Sequence, residues 1–140
     1  MKVLDVNVIL AAHREDHPDH ATARPWLDRL LERREQFGVP WSVWWSFVRL
    51  STNHRIFTIP TPVGDAFDFI RAVRAQPGHV AAEPGPAHEH HFQKVCTSGQ
   101  AAGDLVPDAA LAAIAFEHGG EVMSFDRDFA RFPDLPWSSP

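Results

Sequence analysis

Two short apolar segments at opposite ends of the chain are each followed by an aspartate. Residues 2–4 lead into Asp5, and residues 122–125 lead into Asp126. An apolar run closed by an acid is typical of a buried parallel strand whose carboxylate emerges at the C-terminal edge of the sheet. Open α/β sheets bind their ligands at that edge. The sequence therefore predicts that these two carboxylates belong to a functional site.

A third acid, Asp108, opens an alanine-rich helix predicted over residues 108–118. Each acid alone has a structural explanation, because aspartates often cap helices and turns and complement the positive end of a helix. Capping does not explain why three acids fall at sheet-edge positions in this order. We therefore predict that Asp5, Asp108 and Asp126 converge on one cation.

The length and composition fit a single domain, residues 1–140. With 44% hydrophobic and 22% charged residues the chain has an ordinary globular composition, and no apolar stretch approaches the roughly 20 residues of a membrane span. The N-terminus lacks the features of a signal peptide, and the lone Cys96 can form no internal disulfide. These features predict a cytoplasmic protein without membrane association.

The net charge of −5 argues against a surface built for indiscriminate phosphate binding. A cluster of acids that is neutralised by bound metal would still attract phosphate locally. The overall charge therefore does not exclude an enzyme that acts on nucleic acid.

Predicted strands and helices alternate along the chain. Strands are predicted at residues 2–5, 38–40, 79–82 and 122–125, and helices at residues 8–12, 18–37, 42–52, 65–74, 87–98 and 108–118. This alternation is typical of an α/β fold with a mostly parallel central sheet and helices on both faces.

Two other conspicuous clusters have ordinary structural explanations. The histidines of residues 88–91 lack a second ligand group at zinc-like spacing, so we interpret them as a solvated helix face. The aromatic residues in and just before helix 42–52 could stack on RNA bases, but the aliphatic residues among them favour core packing or a protein interface. These aromatic residues are Trp41, Trp44, Trp45 and Phe47.

Three motifs in this order resemble the PIN-domain ribonucleases, specifically the VapC-type toxins of toxin–antitoxin pairs. They are Asp5-x-Asn7, Val106-Pro-Asp108-Ala-Ala-Leu-Ala-Ala and Ser124-x-Asp126-x-Asp128-Phe129. Residues 42–57 and 132–137 are similar to one toxin subgroup. The resemblance spans essentially the whole chain and implies a single PIN-like domain.

The resemblance also implies a chemistry. Asp5, Asp108 and Asp126 would be the catalytic, metal-binding carboxylates, with Asp128 a candidate outer member, and Asn7 and Ser124 would orient them. Hard oxygen ligands suit Mg²⁺ or Mn²⁺. The implied activity is hydrolysis of RNA phosphodiester bonds, held in check by a small antitoxin protein. The apolar helices near residues 20–37 and 42–74 predict a homodimer and an antitoxin groove.

The chain departs from the family at one position. The family usually supplies another glutamate from the helix after the second strand, but no acid occurs between Glu35 and Asp65. The spacing to Arg49 assigns the missing position to Trp44, with an offset of two residues as the alternative. The site could then hold one ion instead of two, or recruit Asp104.

Two alternative functions stay open at this stage. Aspartate-nucleophile phosphatases also begin with an aspartate after the first strand, but they call for a second acid where this chain has Asn7, and for a lysine that Lys94 is poorly placed to supply. The other alternative is a catalytically degenerate PIN domain that binds RNA or an antitoxin without cleavage.

Overall fold

The computed structural model describes residues 1–140, which form one parallel sheet and six α-helices. The elements in chain order are β1 (Lys2–Leu4), α1 (Val6–His13), α2 (His20–Glu32), β2 (Phe37–Gly38), α3 (Trp41–Ser51), α4 (Val63–Arg74), α5 (His88–Ser98), α6 (Val106–Glu117), β3 (Glu121–Met123) and β4 (Trp137–Ser138). Short 3-10 helices, Gly103–Leu105 and Arg127–Arg131, precede α6 and follow β3.

The four strands lie in the order β2-β1-β3-β4, and every pairing is parallel. In the central pair, Leu4 lies opposite Met123. Val3 and Leu4 point to opposite faces of the sheet, yet neither side chain is exposed to solvent. Both faces are therefore covered, which confirms the predicted α/β class with a parallel sheet flanked by helices.

Helix α6 differs from the other helices because it is buried on most sides. It packs mainly against α5 and also contacts β3. Its alanines allow this close approach, since a methyl group is the smallest side chain that still favours a helix. Ala109, Ala112, Ala113 and Ala115 are completely buried. None of the helices combines the length and apolar character needed to cross a membrane.

All six predicted helices are present, but the structure corrects several boundaries. Helix α2 ends at Glu32 and not near residue 37, because Arg34 adopts a left-handed backbone (φ 54°) that interrupts the helix. The strand predicted at 38–40 is Phe37–Gly38, since Pro40 already precedes α3. The two-residue strand β4 was not predicted, because so short a segment carries no alternation.

The strand predicted at residues 79–82 is reduced to one bridge between His79 and Phe37. Phe37 donates to the Gly78 carbonyl at 3.0 Å and accepts from the Val80 amide at 2.9 Å. Beyond these bonds the chain turns away through residues 83–86, where two prolines prevent further pairing.

Gly38 allows this segment to approach the sheet. A Cβ atom at Gly38 would lie 2.4 Å from the Cβ of Ala82, closer than atoms tolerate, and 3.2 Å from the Val80 carbonyl oxygen, which is a tight contact. The absence of a side chain is therefore required at this position.

We expect Gly38→Ala to lower the free energy of unfolding by about 1–3 kcal/mol, the usual cost of forcing a methyl group into a packed site. The matched control is Gly64→Ala in the first turn of α4, where a new Cβ meets nothing within 4 Å. That variant should be neutral or more stable by up to about 1 kcal/mol, because alanine favours helix over glycine. Urea unfolding of both variants measures the difference, and equal stabilities would contradict the packing argument.

Candidate active site

The parallel pairing of β1 with β3 brings two polar residues side by side. Asp5 follows Leu4, Ser124 follows Met123, and these strand ends are in register. The Asp5 amide continues the pairing by donating to the Met123 carbonyl at 3.0 Å. Both side chains consequently emerge at the same C-terminal edge of the sheet.

The Asp5 carboxylate is held by three hydrogen bonds. Its Oδ1 accepts from the Val6 amide at 2.6 Å, which caps α1. Its Oδ2 accepts from the Ser124 hydroxyl at 2.7 Å and from the Asn7 amide group at 2.9 Å. Only 8% of Asp5 is exposed. This carboxylate therefore has a fixed orientation.

The same network positions the segment that carries Asp126. The Ser124 hydroxyl accepts from the Asp126 amide at 2.9 Å and from Asn7 Nδ2 at 2.9 Å, so its hydrogen-bonding capacity is fully used. Asn7 Oδ1 accepts from the Phe125 amide at 3.1 Å. Asp126 in turn accepts from the Asp128 amide at 2.8 Å. Asn7 and Ser124 thus hold the Asp5 carboxylate and the backbone that carries Asp126.

Asp108 enters the site from the first turn of α6. Burial, together with the negative charges of Asp5, Asp126 and Asp128, raises the pKa of Asp108 to about 6, against a small opposing effect of Arg131. Burial also raises the pKa of Asp5, with Asp126 adding to the effect and the hydrogen bonds from Ser124 and Val6 opposing it. Neighbouring negative charges therefore destabilise the charged forms of Asp5 and Asp108, a situation that a bound cation relieves.

A cavity of about 180 Å³ opens beside Asp5 and Asp108, while Asp126 and Asp128 do not line it. Its polar lining consists of Asp5, Asp108, Ser42 and Ser46, and the remaining wall is apolar. The lining residues come from the start of α1, from the first two turns of α6 and from α3. The sheet edge and three helices thus enclose a small cleft with acids on one part of its surface and hydroxyls on another.

The structure corrects the interpretation of Trp44. Its side chain is completely buried, packs edge-on against Phe47 at 5.9 Å between ring centroids, and does not line the cavity. Ser42 and Ser46, the two positions offset by two residues, line it instead. Sequence reasoning did not single out these serines as site residues, although their spacing of four residues places them on one helix face.

The remaining candidates lie elsewhere. Asp104 is exposed in the 3-10 helix before α6, and the charges that raise the Asp108 pKa come from Asp5, Asp126 and Asp128, not from Asp104. The structure thus gives no support to Asp104 as a substitute acid. The histidines of α5 form no group with other ligands that could hold a metal.

The donor chemistry of the site fits a hard divalent cation, because its acids are carboxylates at one sheet edge with raised pKa values. The side chains as placed do not form a closed cage, since no group of three or more potential ligands is near enough to hold an ion by itself. Mg²⁺ typically retains several waters and uses only one or two carboxylates. The residues present therefore suit an ion held partly by water.

Comparison with known proteins identifies the family. The family model for the PIN domain matches residues 2–135. Ribonuclease VapC25 of Mycobacterium tuberculosis is 58% identical over 135 residues, covering 96% of this chain and 95% of the relative. The chain belongs to the PIN-domain family, among the VapC-type ribonucleases. Ribonuclease VapC43 of the same organism is 41% identical over 140 residues, covering all of this chain and 95% of the relative.

Solved structures share the fold of this PIN domain at low sequence identity. VapBC2 from Rickettsia felis, bound to a DNA fragment from its promoter, superposes with a TM-score of 0.69 at 13% identity, covering 99% of this chain and 97% of the other. VapC20 of M. tuberculosis, titled a sarcin-ricin loop cleaving toxin, gives a TM-score of 0.65 at 17% identity over 93% of each chain. At such identities these likenesses support the fold alone.

The metal-free PIN domain should lose stability as the pH rises from about 4 through about 6. In the folded chain Asp108 keeps its proton up to about pH 6, whereas in the unfolded chain it ionises near 3.8. The folded state therefore binds more protons in this window, so the free energy of unfolding falls with rising pH. The raised pKa of Asp5 acts in the same direction.

Urea unfolding in EDTA at a series of pH values tests this expectation. Asp108→Asn should be more stable than the parent above pH 6 and close to it near pH 4, which flattens the profile. Glu89→Gln, which removes an exposed carboxyl from α5, is the control and should leave the profile unchanged. A parent-like profile in Asp108→Asn would show that its burial and neighbouring charges are unimportant.

Proposed function

We propose that this protein is a metal-dependent endoribonuclease that acts as the toxin of a toxin–antitoxin pair. The observation that carries the proposal is the Asp5 carboxylate, fixed by Ser124 and Asn7 at the sheet edge and electrostatically coupled to Asp108 and Asp126. The high identity to relatives named as VapC ribonucleases supports the same activity. We place its action in the cytoplasm, where RNA substrates are available.

Asp5, Asp108 and Asp126 would hold Mg²⁺ or Mn²⁺, with Asp128 at the margin. When bound, such an ion supplies a water of lowered pKa and neutralises charge on the phosphate. The chain needs no nucleophilic side chain of its own. Its residues position the carboxylates: Ser124 and Asn7 hold Asp5 against rotation, which is how outer hydrogen bonds tune a metal site.

The side chains argue against the phosphatase alternative. Asn7 occupies the position where that class needs a second acid, and it acts there as a donor to both Asp5 and Ser124. Lys94 lies on α5 and lines a different cavity, together with His91 and Asp134. A degenerate domain would bind RNA or an antitoxin but would not cleave RNA. Cleavage by the parent protein, and its loss in an acid variant, therefore separates the two alternatives.

Asp5→Asn should abolish RNA cleavage in Mg²⁺ or Mn²⁺ without unfolding the protein. We expect a loss of more than about a hundredfold, because removing an outer partner of a ligand already costs about 10–100-fold. Asparagine can still accept the cap hydrogen bond from Val6. Cleavage of total bacterial RNA, growth arrest on expression and thermal unfolding measure the three effects.

Glu89→Gln provides the control for this experiment, since it changes a carboxyl outside the site. Chelation by EDTA should stop the parent enzyme, and added Mn²⁺ should restore it. If the parent cuts no RNA at millimolar Mg²⁺ or Mn²⁺ and Asp5→Asn leaves toxicity unchanged, the enzymatic proposal fails and binding without cleavage replaces it.

We propose a small antitoxin as the protein partner, and a homodimer as the assembled toxin. All five exposed large apolar side chains lie on α3, on α4 or between them: Trp45, Ile56, Ile59, Val63 and Phe67. Helix α2, which was expected to share this role, contributes none of them. Among the solved structures with this fold is one titled a toxin–antitoxin complex from Klebsiella pneumoniae. We call Trp45, Ile56, Ile59, Val63 and Phe67 the apolar face.

The segment between α3 and α4 is fixed to the rest of the protein. The Arg14 guanidinium lies over the Phe57 ring, 4.1 Å from its centroid, and donates to the Ile59 carbonyl at 2.8 Å and to the Thr61 hydroxyl at 3.1 Å. Asp16 pairs with the same guanidinium through two hydrogen bonds. The apolar face is therefore preformed, which lowers the entropic cost of binding a partner.

Ile59→Glu should weaken binding to the antitoxin encoded beside this protein by at least about tenfold, because Ile59 is 78% exposed and a charge would be desolvated in the interface. Gln93→Glu on α5 adds the same charge to an exposed site outside the face. Calorimetry measures antitoxin affinity, and sedimentation measures the oligomeric state. Equal affinities of both variants would exclude the apolar face as the antitoxin site.

A further inference from the structure

We propose that Ser42 and Ser46 bind the RNA strand directly, by donating hydrogen bonds to phosphate oxygens beside the bond that is cut. The proposal rests on the proposed ribonuclease function and concerns the same cavity. It assigns a substrate-binding role to two residues that are neither acids nor partners of the acids.

Both serines are placed to meet a ligand in the cavity. They lie one helical turn apart on α3 and line the cavity that Asp5 and Asp108 also line. The Ser42 hydroxyl has no hydrogen-bond partner within the protein, and the Ser46 hydroxyl donates only to the Ser42 carbonyl at 3.1 Å. Both hydroxyls can therefore turn toward a phosphate oxygen at little cost.

The serine wall itself carries no negative side chain. Helix α3 has no acid from Trp41 to Ser51, and the nearby Glu83 carboxylate is engaged by the Trp41 amide at the start of the helix. The acids Asp5 and Asp108 are the cation-binding part of the same cavity. A phosphate could accordingly contact a cation held by the acids and the two hydroxyls at once, which would orient it for cleavage.

The size of the cavity agrees with such a ligand. Its volume of about 180 Å³ has room for several water molecules. This space exceeds the needs of a single cation. It admits part of a nucleotide, and the apolar side chains of Val6 and Leu111 in the wall suit a sugar or base edge.

Helix stability does not explain Ser46. The residue is in mid-helix, where its hydroxyl bonds back to the carbonyl four residues earlier, an arrangement that slightly destabilises helices. Neither serine caps α3, since Pro40 occupies the cap position and makes no side-chain bond. A ligand-binding role accounts for hydroxyls at both positions.

The serines are presented from a rigid support. The neighbouring Val43, Trp44 and Phe47 are buried in the core. The first turn of α3 is fixed because the Trp41 amide donates to the Glu83 carboxylate at 2.9 Å. Substituting an exposed serine hydroxyl should therefore leave the fold and the acids undisturbed.

The test uses the full chain and a synthetic RNA that spans the main site cut by the parent in total bacterial RNA. The variants are Ser42→Ala, Ser46→Ala and the double variant, with Ser98→Ala on α5 as the matched control. Removing both hydrogen bonds to phosphate should raise KM about tenfold or more. Mn²⁺ affinity, measured by electron paramagnetic resonance without RNA, should change less than about twofold, since the serines do not touch the acids.

Ser42→Thr keeps a hydroxyl at this exposed position, so its KM should equal that of the parent. A normal KM in the double variant, or a fall in Mn²⁺ affinity that matches the loss of activity, would overturn the serine proposal. A normal KM would mean that the serines have no role in RNA binding, and a matching fall in Mn²⁺ affinity would mean that they act at the metal.

Photocrosslinking of each protein to total bacterial RNA gives a readout that is independent of cleavage. If the parent crosslinks RNA but cuts none, the nuclease proposal fails, while a fivefold or greater loss of crosslinking in the double variant still supports the serines. If the parent cuts RNA and all variants crosslink equally, the serine proposal fails alone. If the parent neither cuts nor crosslinks RNA, both proposals fail.

Discussion

The hydrogen bonds that join Asp5 to Ser124 and Asn7 are the interaction on which the site depends. They link the end of β1 to the segment after β3, so one buried carboxylate fixes both the start of α1 and the position of Asp126. A buried polar network of this kind is most stable when every member is satisfied, because an unpaired buried polar group is costly. Here the Ser124 hydroxyl meets that condition by donating once and accepting twice.

Stability and function oppose each other at this edge of the sheet. Burial and mutual repulsion raise the pKa values of Asp5 and Asp108, so the charged acids destabilise the metal-free fold at neutral pH. The same repulsion favours a bound cation, because its charge offsets that of the acids. Binding of a cation by these acids would therefore be coupled to folding stability. Ser42 and Ser46 add neutral donors to the cavity without increasing the negative charge.

The sequence predicted the parts of the fold that follow from local pattern. Helix α6 follows from the alanine-rich run that begins at Asp108. Strands β1 and β3 follow from the apolar runs that lead into Asp5 and Asp126. The short strand β4 and the single bridge at His79 could not be predicted, because they exist only through pairing with strands distant in the sequence. The end of α2 also depends on the left-handed backbone of Arg34, a conformation that an arginine in the sequence does not predict.

By itself, the sequence determined which chemical groups are available: three acids at strand and helix ends, and a helix α3 that carries no acid. Only the tertiary structure decided which side of α3 faces the acids. The spacing to Arg49 suggested Trp44, but the large indole is buried in the core, where removing its apolar surface from water stabilises the fold. Burying Trp44 turns the neighbouring face of α3, with Ser42 and Ser46, toward the cavity. Core packing sets the orientation of α3, and that packing depends on residues that are distant in the sequence.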